Sequence, residues 1–256
     1  MAAMHLYQGR SITDTAASAK ALDAEWYVVS AGLGLVRSDR PIPAYECSIV
    51  AGTDLAHRLR AMGSCAPQWW DALTQDAPAP LSNLIASKPT LLALPSSYLR
   101  LVQHDLANVS AASAHSLRIF TSTAGEQCLP DHLRICVMPY DSRLESIDGY
   151  AGTQSDFAQR ALRHFVEVLQ ATDRPLEEAR TIVTASLGGR EHPMRPKGQR
   201  MSDEEILQTL ELQWQRFAGS SARLLRYLRD EARISCEQKR FSRLWRRLQS
   251  EMKAKT

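Results

Sequence analysis

Short apolar runs that alternate with helix-like stretches constrain the fold of this chain more than any other feature. Four such runs stand out, at residues 26–30, 91–94, 117–120 and 133–138. Strands of four to six apolar residues separated by helices are typical of sheets buried on both faces. We therefore predict an α/β domain with a mainly parallel or mixed central sheet flanked by helices.

The alternation ends near residue 187, and the composition then changes. Residues 188–201 are rich in glycine, proline and charge, which indicates a linker. Ser202 and Glu205 form a capping-box pattern that begins the first of three short amphipathic helices. The predicted organisation is an α/β domain at 1–187, a linker at 188–201 and a small helical module resembling a helix-turn-helix at 202–256.

The charge of the chain is unevenly distributed. Residues 223–256 contain 11 Lys/Arg against 4 Asp/Glu, whereas the other 222 residues contain 20 against 24. A cationic tail on a nearly neutral body favours an anionic partner, and basic residues at helical spacing suit phosphate contacts. The predicted nucleic-acid contacts of the module are Arg223, Arg226, Lys239, Arg240 and Arg243. The alternative is a solvated basic surface packed beside the main domain.

Cysteine and hydropathy patterns argue against several classes of protein. The five cysteines are scattered and form no C-x-x-C pair, so we expect free thiols in a reducing cytosol and neither a metal nor a cofactor. No apolar run approaches the roughly 18 residues of a membrane span, and no signal-peptide pattern begins the chain. These patterns predict a cytoplasmic protein without a membrane partner.

The first candidate site follows the first apolar run. Ser30 ends that run, a glycine-containing turn comes next, and Tyr45, Glu46 and Cys47 follow in a loop. Ligands of open α/β sheets bind beyond the carboxyl ends of strands, where glycines let backbone N–H groups approach them. Cys47 could act as a covalent nucleophile if a neighbour lowered its pKa. The alternatives are a tight connection without a ligand and a cysteine that only packs.

The second candidate site lies where the run at 133–138 ends. Tyr140, Asp141 and Arg143 occupy that loop, and Asp156 precedes a helix that carries Arg160. Helical spacing places Asp156 and Arg160 on one polar face, so the sequence predicts an anion or base site with Arg143 and Arg160 as contacts to nucleic acid. An ordinary solvated face with one Asp–Arg pair is the alternative.

The segment at 26–36 together with 42–45 resembles the YaaA-like family. The shared pattern is an apolar strand ending in Ser30-Ala31, a glycine–leucine turn and a proline-tyrosine element ending at Tyr45. This chain departs from the commoner form, which has lysine where Gly32 stands, and so lacks that amine. The motif spans fewer than 20 residues, although the resemblance covers about residues 5–187.

The resemblance implies action on nucleic acid, because some members belong to bacterial clusters that insert 7-deazaguanine bases into DNA. It implies hydration of the 7-cyano group of such a base to the amide, in a setting of phage defence and with partner proteins from the cluster. The expected catalytic residues are Ser30, Tyr45, Glu46, Cys47, Tyr140, Asp141 and Asp156. The alternatives are a non-catalytic DNA-binding protein of a stress or defence system and an enzyme that processes free nucleosides or nucleobases.

Overall fold

The chain forms two compact units. The computed structural model describes residues 1–77, 80–193 and 199–254. The first unit spans residues 1–193 and the second spans 194–256. The division falls inside the predicted linker at 188–201, of which residues 194–198 lie outside the described residues. Gln199 already belongs to the second unit, because its N–H donates to the carbonyl of Arg233 at 2.7 Å.

The first unit is a mixed α/β structure in which helices predominate. Its strands are β1 (Tyr27–Ser30), β2 (Gly34–Arg37), β3 (Thr90–Ala93) and β4 (Leu117–Phe120). Its α-helices are α1 (Ala3–Leu6), α2 (Arg10–Ala21), α3 (Asp54–Ala61), α4 (Ala66–Leu73), α5 (Pro80–Ser87), α6 (Ser96–Leu101), α7 (Gln103–Ala107), α8 (Ala111–Ala114), α9 (Thr123–Glu126), α10 (Asp131–Arg134), α11 (Phe157–Arg163) and α12 (Leu176–Leu187). A 3-10 turn occupies Ser142–Ser146, and a π-helical turn, His164–Val168, continues α11.

The strands of the described residues form two separate sheets of two strands each. β1 and β2 pair antiparallel, with Ser30 opposite Gly34, whereas β3 and β4 pair parallel. Gly34 has a φ of +73°, a left-handed conformation that suits glycine at the end of a short hairpin loop. The first apolar run is therefore one arm of a hairpin. The mixed α/β class is confirmed, but the single central sheet is not.

The fourth predicted strand, at 133–138, is wrong over most of its length. Residues Asp131–Arg134 form helix α10, and Pro130 is the N-cap residue directly before it. Only Val137 makes a strand-like bridge, parallel to Ile119 of β4. β3, β4 and Val137 therefore direct their carboxyl ends to the same edge.

Two large apolar clusters, besides a small third cluster of three buried residues, hold the first unit together. One surrounds Trp70, Leu99 and Ile119, and the other surrounds Phe120 and Phe165. These five side chains are at most 1% exposed. Complete burial of a large apolar side chain contributes about 1.5–3 kcal/mol relative to its exposure. The clusters therefore fix the positions of the strand-end loops that they underlie.

Helices α2 and α11 are joined by a buried carboxylate. Asp14 is 2% exposed and lies between Arg10, at 3.3 Å, and Arg163, at 3.1 Å. Arg10 also donates to the carbonyls of Gly149 and Ala151. Because a buried carboxylate is costly without such partners, the two arginines hold the loop before α11 against α2.

The described part of the second unit contains three α-helices, as the amphipathic patterns predict. They are α13 (Asp203–Gln213), α14 (Ser221–Arg226) and α15 (Gln238–Ala254), and a π-helical turn, Tyr227–Glu231, continues α14. Ser202 and Glu205 form the predicted capping box at the start of α13. The small core packs Ile206, Leu210, Leu224, Leu244 and Leu248 together. None of the helices in the described ranges combines the length and apolar character needed to cross a bilayer.

Candidate functional site

A chain of hydroxyl groups forms the first candidate site. The hydroxyl of Tyr45 is hydrogen-bonded on one side to Ser30 and on the other to Tyr7. The Tyr7 and Tyr45 rings meet edge to face, with centroids 6.2 Å apart. The loop after β2 thereby returns to the end of β1, as the sequence predicts for Ser30 and Tyr45. The participation of Tyr7, which follows α1, is new.

The glycine turn serves this hydroxyl chain and does not present free N–H groups to a ligand. The N–H groups of Gly32 and Leu33 both donate to Ser30 Oγ, at 3.2 and 3.0 Å. A Cβ atom at Gly32 would lie 2.9 Å from the Tyr45 ring. Any larger residue at this position, including the lysine of the commoner motif, requires the ring of Tyr45 to move. The predicted use of this turn as a backbone cradle is therefore wrong.

The electrostatics of the loop favour neutral groups. Burial raises the pKa of the Tyr45 phenol, and its hydrogen bond to Tyr7 raises it further. Burial also raises the pKa of the Cys47 thiol. Since the thiolate is the nucleophilic form, this environment disfavours a covalent role for Cys47. Glu46 is exposed and leaves a carboxylate at the rim.

Helix α6 brings the carboxyl end of β3 to the same place. Tyr98, in the first turn of α6, lies close enough to Tyr7 and Cys47 to interact with them electrostatically. Burial raises the pKa of Tyr98 as well. The hydroxyl chain is therefore flanked by a third tyrosine.

The second candidate site is a buried pair of rings. The hydroxyl of Tyr140 lies 2.9 Å from Nδ1 of His164, and the His164 ring also meets the Tyr150 ring edge to face. His164 is 2% exposed, and burial lowers its pKa from 6.5 to about 4. The imidazole is therefore neutral at pH 7. Although it lies next to polar residues in the sequence, His164 points into the core.

Arg160 does not have the role that the sequence predicts. Its side chain is completely buried, and it donates to Asp156 at 2.6 Å and to the carbonyls of Tyr150 and Thr153. All of its nitrogens are directed to partners inside the protein, so it cannot also contact a DNA phosphate. Burial alone would raise the pKa of Asp156, but the hydrogen bonds from Arg160 and Thr153 hold it below its usual value. This pair is a structural bridge between α11 and the preceding loop.

Asp141 is similarly engaged. Arg143 donates to it from its backbone N–H at 2.9 Å and from its guanidinium at 2.8 Å, and it also donates to the Leu187 carbonyl at 3.2 Å. Burial would raise the pKa of Asp141, but the hydrogen bonds from Arg143 outweigh it and lower the pKa. Next to this pair, the hydroxyl of Ser142 lies 2.8 Å from Nδ1 of His192.

The residues expected to act together in catalysis belong to two separate sets. In the described part of the chain, no hydrogen bond joins Ser30, Tyr45 or Cys47 to Tyr140, Asp141 or Asp156. Gln159 is a residue of α11, and its Nε2 donates to the carbonyl of Ala93, at the end of β3, at 2.9 Å. Gln159 and Arg160 belong to the same polar stretch, at residues 153–167. No sequence signal indicates that Gln159, among these residues, contacts β3.

The basic surface of the second unit lies mainly along α15. Lys239, Arg243 and Arg246 recur every three or four residues and, with Gln238 and Ser242, line an open groove of about 670 Å³. Arg243 is exposed but also reaches Asp203 at 2.7 Å. We call Lys239, Arg243 and Arg246 together the α15 basic face.

The other predicted contacts differ in their accessibility. Arg240 is half-buried and donates to Asp203 at 2.6 Å and to the Met201 carbonyl at 2.8 Å, so its position fixes α15 against the start of α13. Arg223 and Arg226 are exposed on α14, and neither has an ion-pair partner among the described residues. Of the predicted contacts, Arg223, Arg226, Lys239 and Arg243 are therefore exposed, whereas Arg240 is not.

The described part of the chain contains no group of three His, Cys, Asp or Glu side chains able to hold a metal ion. No family model, no curated protein and no solved structure matches the chain. The YaaA-like resemblance therefore rests on the short motif that surrounds the hydroxyl chain.

Proposed function

We propose that this chain is a cytoplasmic enzyme that acts on DNA. The second unit would hold the phosphate backbone in the manner of a helix-turn-helix module. The first would hydrate the 7-cyano group of a 7-deazaguanine base to the amide. The proposal corresponds in type to DpdC, a YaaA-like protein of such modification clusters. It treats β3, β4 and Val137 as the remnant of the mainly parallel sheet of that family. The observation that carries the proposal is the α15 basic face.

The charges of this face suit a nucleic-acid backbone. Lys239, Arg243 and Arg246 lie within eight residues of one helix, and the seven steps between the first and the last span about 10 Å at a rise of 1.5 Å per residue. Each cation that neutralises a phosphate releases counterions and steepens the salt dependence of binding by about 0.9 in the double-logarithmic slope. Three such contacts give a slope of about 2–3 from this face alone.

Fluorescence anisotropy of labelled duplex DNA, measured over a series of salt concentrations, tests this part. The triple variant Lys239→Gln, Arg243→Gln, Arg246→Gln should lower the slope by about 2–3. A matched control removes the same charge from the first unit, through Arg58→Gln, Arg60→Gln and Arg100→Gln, and should leave the slope nearly unchanged. Equal losses in both variants would show that only net charge matters and would refute a dedicated surface.

The chemistry proposed for the first unit uses few groups. Hydration of a nitrile needs a base that takes a proton from water and a donor that protonates the nitrile nitrogen. Glu46 follows Tyr45 in the loop and is exposed, so the proposal assigns it as the base, and the phenols of Tyr45 and Tyr7 supply donors. A base in duplex DNA would have to leave the stack to reach them. Mass spectrometry of nucleosides from DNA that carries 7-cyano-7-deazaguanine should detect the gain of one water after incubation with the protein.

A non-catalytic DNA-binding protein is the second candidate. It is favoured by the arginines that engage Asp141 and Asp156 and by the raised pKa of Cys47, since these residues are then unavailable for chemistry. The same assay separates the two candidates. Unchanged DNA together with salt-dependent binding that needs the α15 basic face would support this second function.

A further inference from the structure

The hydrogen bonds around Ser30 have a direction. A hydroxyl group can accept about two hydrogen bonds and donate one. Ser30 Oγ accepts from the N–H groups of Gly32 and Leu33, at 3.2 and 3.0 Å, which uses both of its acceptor positions. Its own proton is therefore directed to its third neighbour, the hydroxyl of Tyr45.

The direction continues to the end of the chain. Tyr45 accepts from Ser30, so its own proton is directed to the oxygen of Tyr7. Tyr7 then accepts inside the protein and keeps its own proton for another partner. The hydroxyl of Tyr7 has no second hydrogen bond among the described residues, and the residue is half-buried.

We propose that the Tyr7 hydroxyl is the catalytic donor of this site, presented to the nitrile nitrogen of the bound base. This role rests on the proposed function, and it extends the site to a residue outside the strand–loop motif. Ser30 and Tyr45 are then positioning residues, which orient Tyr7 and stabilise its oxygen when it loses its proton.

The proton balance is closed. The oxygen of water bonds to the nitrile carbon while one C–N π bond breaks, Glu46 takes a proton from the water, and the nitrogen takes the proton of Tyr7. The Tyr7 phenolate keeps the hydrogen bond from Tyr45, and the proton on Glu46 returns to it through solvent. The hydrated product then rearranges to the amide without any oxidant or further reactant.

The test compares Tyr7→Phe with Tyr27→Phe in the full-length protein. Tyr27 lies at the far end of the same hairpin, and its hydroxyl has no hydrogen bond to the described residues, so it is a matched control. Turnover is measured on DNA that carries 7-cyano-7-deazaguanine, and binding is measured with the free 7-cyano-7-deazaguanine nucleoside. Loss of a general acid lowers the rate by about 10²–10⁴-fold. We expect that loss for Tyr7→Phe and none for Tyr27→Phe.

A second variant distinguishes a proton donor from a structural residue. Fluorinated tyrosine at position 7 has a more acidic phenol, so it should move the basic limb of the kcat–pH profile to lower pH. If Tyr7→Phe turns over the DNA as fast as wild type, or if fluorination does not move the basic limb of the pH profile, the assignment of Tyr7 is wrong. Either result would leave the proposed function intact. The wild-type protein could also bind the nucleoside without turning over the DNA. If Tyr7→Phe then weakened that binding about tenfold, Tyr7 would be a hydrogen-bond donor to the ligand, and nitrile hydration would be rejected. Wild-type protein that neither turns over nor binds the probe would overturn both.

Discussion

Replacement of Arg160 by methionine should strongly destabilise the first unit. The guanidinium is completely buried, and its partners are Asp156 and the carbonyls of Tyr150 and Thr153. Methionine fills part of the same volume but donates no hydrogen bond. The variant therefore leaves Asp156 as an unpaired carboxylate that is only 13% exposed, together with two unsatisfied carbonyl oxygens.

Removal of one partner of a buried ion pair costs about 3–5 kcal/mol. For a unit of 150–250 residues, 1 kcal/mol corresponds to about 2–4 °C in Tm. The expected decrease in Tm is thus roughly 6–20 °C, measured by circular dichroism with urea unfolding as a second probe. DNA affinity of the folded variant should be unchanged, in contrast to the phosphate contact that the sequence suggests.

Arg174→Met is the matched control. Arg174 pairs with Glu178 in an i, i+4 arrangement, and both side chains are about half exposed. Such pairs contribute about 0–1 kcal/mol, so the Tm should change by only a few degrees. If Arg160→Met costs no more than Arg174→Met, the buried bridge does not stabilise the unit as argued. A selective loss of DNA affinity without loss of stability would restore the phosphate role.

Two further predictions concern pH. One oxygen of Asp105 accepts hydrogen bonds from Trp70 Nε1 and from the Leu81 N–H, and burial raises the pKa of this carboxyl above 3.8. The folded state therefore favours the protonated form. The contribution of this form to stability is present below pH 3.8 and is lost as the pH rises through the folded pKa. Asp105→Asn retains both acceptor contacts, so its stability relative to wild type should increase across that window in urea unfolding at several pH values, and a constant difference would contradict the assignment. The pKa of His164 is about 4 in the folded protein and 6.5 in the unfolded chain, so wild-type stability should fall as the pH decreases from about 6.5 to about 4. By NMR the His164 resonance should titrate near 4. Titration near 6.5 would place this ring in solvent.

The elements with long or strongly patterned sequences could be predicted, and those that depend on pairing partners could not. The capping box at Ser202 and the three amphipathic helices of the second unit follow from local spacing. The run at 26–30 is a strand, but its antiparallel partner, β2, depends on the turn before Gly34. Residues 133–138 are apolar enough for a strand, yet the helix that follows Pro130 includes the first two residues of the run. An apolar run indicates burial more reliably than it indicates the element that is buried.

The candidate site shows the same limit. Ser30 and Tyr45 belong to one short motif, so their proximity could be anticipated. Tyr7 joins them from the residue that follows α1, well before the motif, and nothing in its sequence neighbours marks it. The predicted contact of Arg160 with nucleic acid is wrong because helical spacing shows which residues share a face. It does not show whether that face meets water or carbonyl oxygens.

The ion pair of Asp14 with Arg163 has a consequence for how the protein folds during synthesis. The two residues are 149 positions apart, so their contact has a high contact order and closes a long loop. Ribosomes add about 5–20 residues per second, and helix α2 therefore waits roughly 7–30 s for its partner to be made. During that interval the apolar side of α2 and the carboxylate of Asp14 have no native cover. The first unit should consequently complete its core late, and the nascent chain is a natural substrate for chaperones that shield early helices.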